Sequence, residues 1–272
     1  MERTEARLSL SSTLSVPLVE TGPADSVPLV LLHGATDSWR SFERLWPLLP
    51  STRRVIAFSQ RGHGDADKPT DGYGVDALAA DVVALLDALE LPAAILVGHS
   101  MGSAVALRVA ATDPERVRGL ALIGAFASLH DNPGVIELWE GVVSTLEDPV
   151  DEGFIREFQR STLGREVPAE FFEMVVRESQ KLPAHVWRAL FAGFVASDLR
   201  PNLAAVRAPT LVLWGDADGF CSRAEQDRLL AAVPSAALTA YAGGGHALHW
   251  EQPERVAGDL AAFIDRVVSS GR

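Results

Sequence analysis

A single cysteine in 272 residues, Cys221, leaves no partner for an intramolecular disulfide and no thiolate set for a zinc site. Clustered basic residues are missing as well. Lys and Arg number 24 against 36 Asp and Glu, a formal charge of −12, whereas nucleic-acid binding needs a basic face. Long apolar runs are also lacking: the most apolar stretch, DALAADVVALLDALELPAAILVGH, is interrupted by Asp81, Asp87 and Glu90 and does not read as a membrane span. The opening MERTEARLSLSS carries charges with no apolar run behind them, unlike a signal peptide. These absences predict no nucleic-acid partner, no membrane association and a cytoplasmic protein. What is present is a globular balance, 47% hydrophobic and 22% charged, which excludes a disordered chain.

Residues 5–20 alternate weakly between polar and apolar and predict an antiparallel hairpin. Short continuous apolar runs follow at 27–34, 53–59, 92–99, 117–125 and 208–216, the signature of strands buried on both faces of a parallel sheet. Helical periodicities lie between them at 41–49, 75–90 and 102–113, which predicts a doubly wound α/β domain. The alternation stops after Ala125. Residues 128–200 hold only amphipathic segments, with Pro133, Pro149, Pro168 and Pro183 near the start of each, where proline suits a first helical turn. A four-helix insertion over 128–200 is expected, capping a core made of 1–127 and 201–272. The α/β rhythm then resumes with a strand at 209–214, a helix at 222–232, a strand at 236–241 and a terminal helix near 251–268.

Chemistry enters at GHSMGS. Ser100 falls where a buried strand passes into a helix, and glycines two residues to either side permit a sharp turn that would expose its hydroxyl at the C-terminal edge of the sheet. A serine hydroxyl needs a base, and the base an orienting acid. Of seven histidines, His33 and His99 sit beside glycines at strand ends and are expected to shape turns, with His99 also a pocket candidate. His63 lies in RGHGDADKP, a surface-loop composition, and His130 and His185 fall in the insertion. His246 follows three glycines between the last strand and the last helix, where a loop can reach over the sheet edge, while His249 suits a helix cap or packing. A metal pair from His246 and His249 lacks a third ligand, so neither metal nor cofactor is expected. The acid comes from GDAD: Asp218, further into the loop, has the better reach, with Asp216 as the fallback. Backbone N–H donors for a developing oxyanion would come from Met101, at the helix start, and from Ala35 in LLHGATDSW.

The chain resembles α/β-hydrolase-fold serine hydrolases over nearly its whole length, through HGAT (33–36), RGHGDADKP (61–69), GHSMGS (98–103), GDAD (215–218) and GGHALHWEQPE (244–254). The resemblance implies Asp218 as the acid, since relatives place it three residues after the glycine, and it matches His246 with Glu251 and Pro253. It implies that the insertion is a cap that sets specificity. Many relatives carry an aspartate at the position of Ser59, a generally structural site. Ser100 stands where epoxide hydrolases and haloalkane dehalogenases carry an aspartate, which disfavours those activities. The implied reaction is hydrolysis of a small carboxylic ester or lactone through an acyl-enzyme, by a monomer or homodimer. Cofactor-free perhydrolases or haloperoxidases, C–C bond hydrolases and small-ligand receptors with slow turnover share the fold. Trp39 and, from the insertion, Trp139, Phe154, Phe158, Phe171, Phe172, Trp187, Phe191 and Phe194 are the apolar candidates for the pocket wall.

Overall fold

A computed structural model describes residues 3–270. Eight strands form one sheet in the order β1-β2-β4-β3-β5-β6-β7-β8. The hairpin β1 (Thr4–Ser11) and β2 (Leu14–Thr21) pairs antiparallel, and β2 also runs antiparallel to β4 (Val55–Phe58). From β4 onward the sheet is parallel, through β3 (Leu29–Leu32), β5 (Ala94–His99), β6 (Val117–Ile123), β7 (Thr210–Gly215) and β8 (Ala236–Tyr241).

The continuous apolar runs follow from the pleat, because successive side chains point to opposite faces and here both faces are covered. Val30, Leu32, Ile56, Phe58, Leu96 and Leu122 enter one core with α1 (Val75–Ala88) and α2 (Met101–Thr112). Their neighbours Leu29, Leu31, Val55, Ala57, Ile95 and Val97 enter a second core against the last helix, α9 (Pro253–Ser270). That helix buries Val256, Leu260, Phe263, Ile264 and Val267, a stripe at helical spacing.

Four helices lie between β6 and β7: α3 (Pro133–Gly141), α4 (Glu152–Ser161), α5 (Ala169–Ser179) and α6 (Ala184–Ala196). Pro133 opens α3, while Pro168 and Pro183 are the N-cap residues of α5 and α6. Asn132 and Asp151 cap α3 and α4 by accepting from Val135 N and Phe154 N. After β7 come α7 (Arg223–Ala232) and the single turn α8 (Leu248–Glu251).

Two expected helices differ. Residues 41–49 form two 3₁₀ turns, Trp39–Phe42 and Trp46–Leu48, because Pro47 has no N–H to offer the Glu43 carbonyl and an α-helix cannot pass through it. The terminal helix near 251–268 begins at Pro253, after a break at Gln252 that leaves α8 as a separate turn. Among the described residues no helix is long and apolar enough to cross a membrane. The chain leaves β3 toward β4 on one side and reaches β5 on the other, so the loops after β3 and β5 diverge at the sheet's C-terminal edge. A crevice opens where strand order reverses in this way.

Candidate active site

Ser100 follows β5 and is the N-cap of α2, with φ +50° and ψ −116°, a backbone conformation that side-chain-bearing residues rarely adopt. Close packing around it enforces the conformation. A Cβ on Gly102 would lie 2.0 Å from the Leu32 carbonyl oxygen, and one on Gly98 would lie 2.3 Å from the Gly102 carbonyl oxygen. Glycine is required at both positions because α2 must start directly against β3 and β5. The Ser100 N–H donates to Ile123 O at 2.9 Å, which ties the turn to the next strand.

His246 reaches the same place from the loop after β8. Its Nδ1 lies 2.8 Å from Asp218 Oδ2. A carboxylate only accepts, so the Nδ1–H donates and Nε2 keeps a lone pair available as a base. Asp218 comes from the loop after β7, and its Oδ1 accepts from Phe220 N at 2.8 Å and Cys221 N at 3.0 Å. Burial pushes the Asp218 carboxyl up, but His246 beside it and the two backbone N–H groups outweigh burial and hold it below the usual carboxylate range. Asp216 is exposed and accepts from Gly243 N at 2.6 Å, so the fallback acid closes a turn and does not meet His246.

Ala35 and Met101 supply N–H groups beside this arrangement. Neither donates to another backbone group among the described residues. Met101 opens the 12-residue α2, where the first N–H groups lack partners inside the helix and the dipole favours negative charge. Ala35 occupies the turn Gly34–Asp37 after β3.

Ser100, His246, Ala35, His99 and Phe191 line one pocket. Phe126, Leu129, Val135, Phe194 and Phe220 complete an apolar side, while Asp37, Gln159 and Thr162 give a polar side. Among the predicted walls, Phe158, Phe191 and Phe194 are therefore found there. Trp39, Trp139 and Trp187 are not. Trp39 turns into the second core, under the guanidiniums of Arg3 and Arg40. Trp187 is fully buried one layer back, stacked on Phe191 at 6.2 Å and 11°. Trp139, half-buried on α3, packs against the first core. Phe154 packs against Trp187, Phe171 behind the cavity-lining Trp250 and Phe172 beneath Arg160, and none of the three lines the cavity.

His63 is buried and not at the surface, because the bidentate Arg61–Asp81 ion pair holds its loop down over it. Burial lowers its pKa to about 4. His33 and His249 are pushed well below their ordinary value and His99 below it, in each case first by burial. His249 bonds Ser41 Oγ through Nε2 at 3.0 Å, a packing role as expected. Among the described residues Asp218, Cys221 and His246 bring three potential ligand atoms within 4.8 Å of one another. Two of the three are already occupied by the Asp218–His246 hydrogen bond, and burial pushes the Cys221 thiol up, which keeps it protonated. The set fits a hydrogen-bonded pair better than an ion.

Sequence reasoning missed Phe126, Leu129, Val135, Asp37, Thr162, Phe220 and, above all, Gln159. Gln159 did leave a signal: it falls one turn after Ile155 on the buried stripe of α4, a polar residue at an apolar position.

Residues 27–253 match the family described as alpha/beta hydrolase fold. The chain is 30% identical over 252 residues to the AB hydrolase superfamily protein YisY of Bacillus subtilis, covering 87% of this chain and 91% of that protein. It is 30% identical over 267 residues to a non-heme chloroperoxidase of Streptomyces lividans, covering 89% and 93%. A putative aryl esterase from Burkholderia cenocepacia superposes with a TM-score of 0.86 at 22% identity, over 98% of this chain and all of that one.

Proposed function

The chain belongs to the α/β hydrolase fold family, and we propose that it is a hydrolase that cleaves a small carboxylic ester or lactone through an acyl-enzyme. The observation that carries this reading is the 2.8 Å Asp218–His246 hydrogen bond beside a backbone-strained Ser100 in one cavity. Ser100 Oγ attacks the carbonyl carbon while His246 Nε2 takes its proton. The negative oxygen of the tetrahedral intermediate accepts from the Ala35 and Met101 N–H groups, each worth roughly 3 kcal/mol in the transition state. His246 then protonates the leaving oxygen as the C–O bond breaks. Water repeats the sequence on the acyl-serine, giving up a proton to His246 and releasing the acid. Asp218 holds the imidazole in the tautomer both halves need. Residues 128–200 act as the cap, and the phenylalanines it contributes favour a small apolar group on one side of the scissile bond.

A second reading keeps the acyl-enzyme and replaces water by hydrogen peroxide, giving a peracid. It draws on the likeness to a protein named non-heme chloroperoxidase.

Purified protein is expected to hydrolyse p-nitrophenyl esters of short acids with kcat/KM of about 10⁴ M⁻¹ s⁻¹ or more. Faster acetate-dependent peracid formation would favour the second reading. No turnover of any ester, with cleavage of a ring-fission dienone or tight binding of a small ligand in its place, would contradict the first.

A further inference from the structure

The last turn of α4 grips both sides of the cavity. Gln159 is almost wholly buried, and its Nε2 lies 2.9 Å from Thr36 Oγ1, 2.7 Å from Ser179 Oγ and 3.3 Å from Asp37 Oδ1. An amide nitrogen carries two hydrogens, so the two short contacts take them and the aspartate stands as a longer third. Ser179 Oγ itself donates to Val175 O at 3.1 Å, which leaves its lone pairs facing Gln159. Three residues further on, the Thr162 carbonyl accepts from His246 N at 2.8 Å and Ala247 N at 3.3 Å. A single turn of an inserted helix therefore touches the loop of the base through Thr162 and the turn of Ala35 through Gln159.

The second connection has a physical purpose. Thr36 has φ +66°, the left-handed region, which suits glycine and resists a β-branched residue. The turn bond that spans it, Asp37 N–H to Gly34 O, is long at 3.4 Å. Gln159 is the group that bonds the Thr36 hydroxyl. Among the described residues this is the one side-chain hydrogen bond made to that hydroxyl, next to Ala35 in the same turn.

We propose that Gln159 is a positioning residue that holds Thr36 in its left-handed conformation, so that the Ala35 N–H is aimed at the oxyanion only while α4 is docked on the core. The proposal rests on the acyl-enzyme reading above. It makes the inserted helices part of the reaction as well as a wall around the substrate.

The test is a double-mutant cycle on purified full-length protein, with a p-nitrophenyl ester as substrate and a trifluoromethyl ketone as the tetrahedral analogue. Gln159→Ala is expected to lower kcat about 10- to 100-fold, below the roughly 10²- to 10³-fold loss of a whole oxyanion donor, with KM changed less than about 3-fold. Affinity for the ketone should fall by the same factor as kcat/KM. In a Thr36→Gly background the Gln159→Ala penalty should shrink to less than about 2-fold, because glycine takes positive φ without an anchor. Gln159→Leu, which fills the same space and lacks both bonds, repeats the comparison if the alanine variant does not fold. A raised KM at unchanged kcat would overturn the proposal and leave Gln159 with its place in the pocket wall alone. A loss of kcat that persists in the Thr36→Gly background would also overturn it. If the wild-type protein hydrolyses no ester, the acyl-enzyme reading itself falls; if it is active and Gln159→Ala retains its kcat, only the proposal does.

Discussion

Ser100→Ala is expected to lower kcat by roughly 10⁶-fold, the loss seen when a nucleophile that works as a unit with its base is removed. The substitution deletes one oxygen at the mouth of α2 and leaves the packing around Gly98 and Gly102 untouched. It should also relieve nothing of the backbone strain, because Ala at φ +50° is no more comfortable than Ser. The variant should therefore remain folded and bind substrate with little change in affinity. A residual rate above uncatalysed hydrolysis, by about 10³- to 10⁴-fold, would come from the Ala35 and Met101 N–H groups and from binding alone. Steady-state assay with thermal unfolding as a control decides the matter. A variant that hydrolysed esters within about tenfold of wild type would remove Ser100 from the reaction.

Stability is expected to fall between pH 6.5 and 4. Four histidines, His33, His63, His99 and His249, are buried with at most 2% exposure, and burial is the first cause that lowers each of them. Each folded-state value lies below the ordinary 6.5. Between the two values the unfolded chain takes up protons that the folded chain refuses, so stability is complete above pH 6.5 and falls as the pH drops. For His63, with a pKa of about 4, the loss across that window is about 3 kcal/mol. His33, His99 and His249 add losses of the same sign, offset in part at His99 by Asp37, which lies 3.6 Å from it. Against a total stability of about 5–15 kcal/mol, the His63 loss alone is a large fraction. Asp218 adds a further loss at lower pH, because its depressed carboxyl stabilises the fold only while ionised. Urea unfolding at pH 7.5, 6.5 and 5.5 should show a steadily falling midpoint, and an unchanged midpoint over that range would contradict the burial of these imidazoles.

The sheet was legible because burial on both faces writes an unbroken apolar run, and Leu29–Leu32 shows how alternate residues of one such run feed two separate cores. Ser100, His246 and Asp218 were legible because a sharp strand-to-helix turn and two loops at the sheet edge demand particular residues at fixed spacing. The pocket wall was harder to read. Trp139, Trp187 and Phe191 all lie on helices of the insertion, and composition does not say which helix face meets the cavity: of these candidates Phe191 lines it, Trp139 and Trp187 do not, and the loop residues Phe126 and Phe220 do. His63 was misread because loop composition does not reveal that Arg61 will pair with Asp81, twenty residues away, and close the loop over the ring. Gln159 acts on Thr36 across 123 residues of chain, a contact that no local pattern encodes.

The most direct measurement of the central claim is the intact mass of the protein after treatment with a small alkyl fluorophosphonate. The account predicts one adduct per chain, located on Ser100 by peptide mapping, with complete loss of ester turnover and no adduct on Ser100→Ala. Full activity after treatment, or equal labelling of wild type and Ser100→Ala, would contradict it.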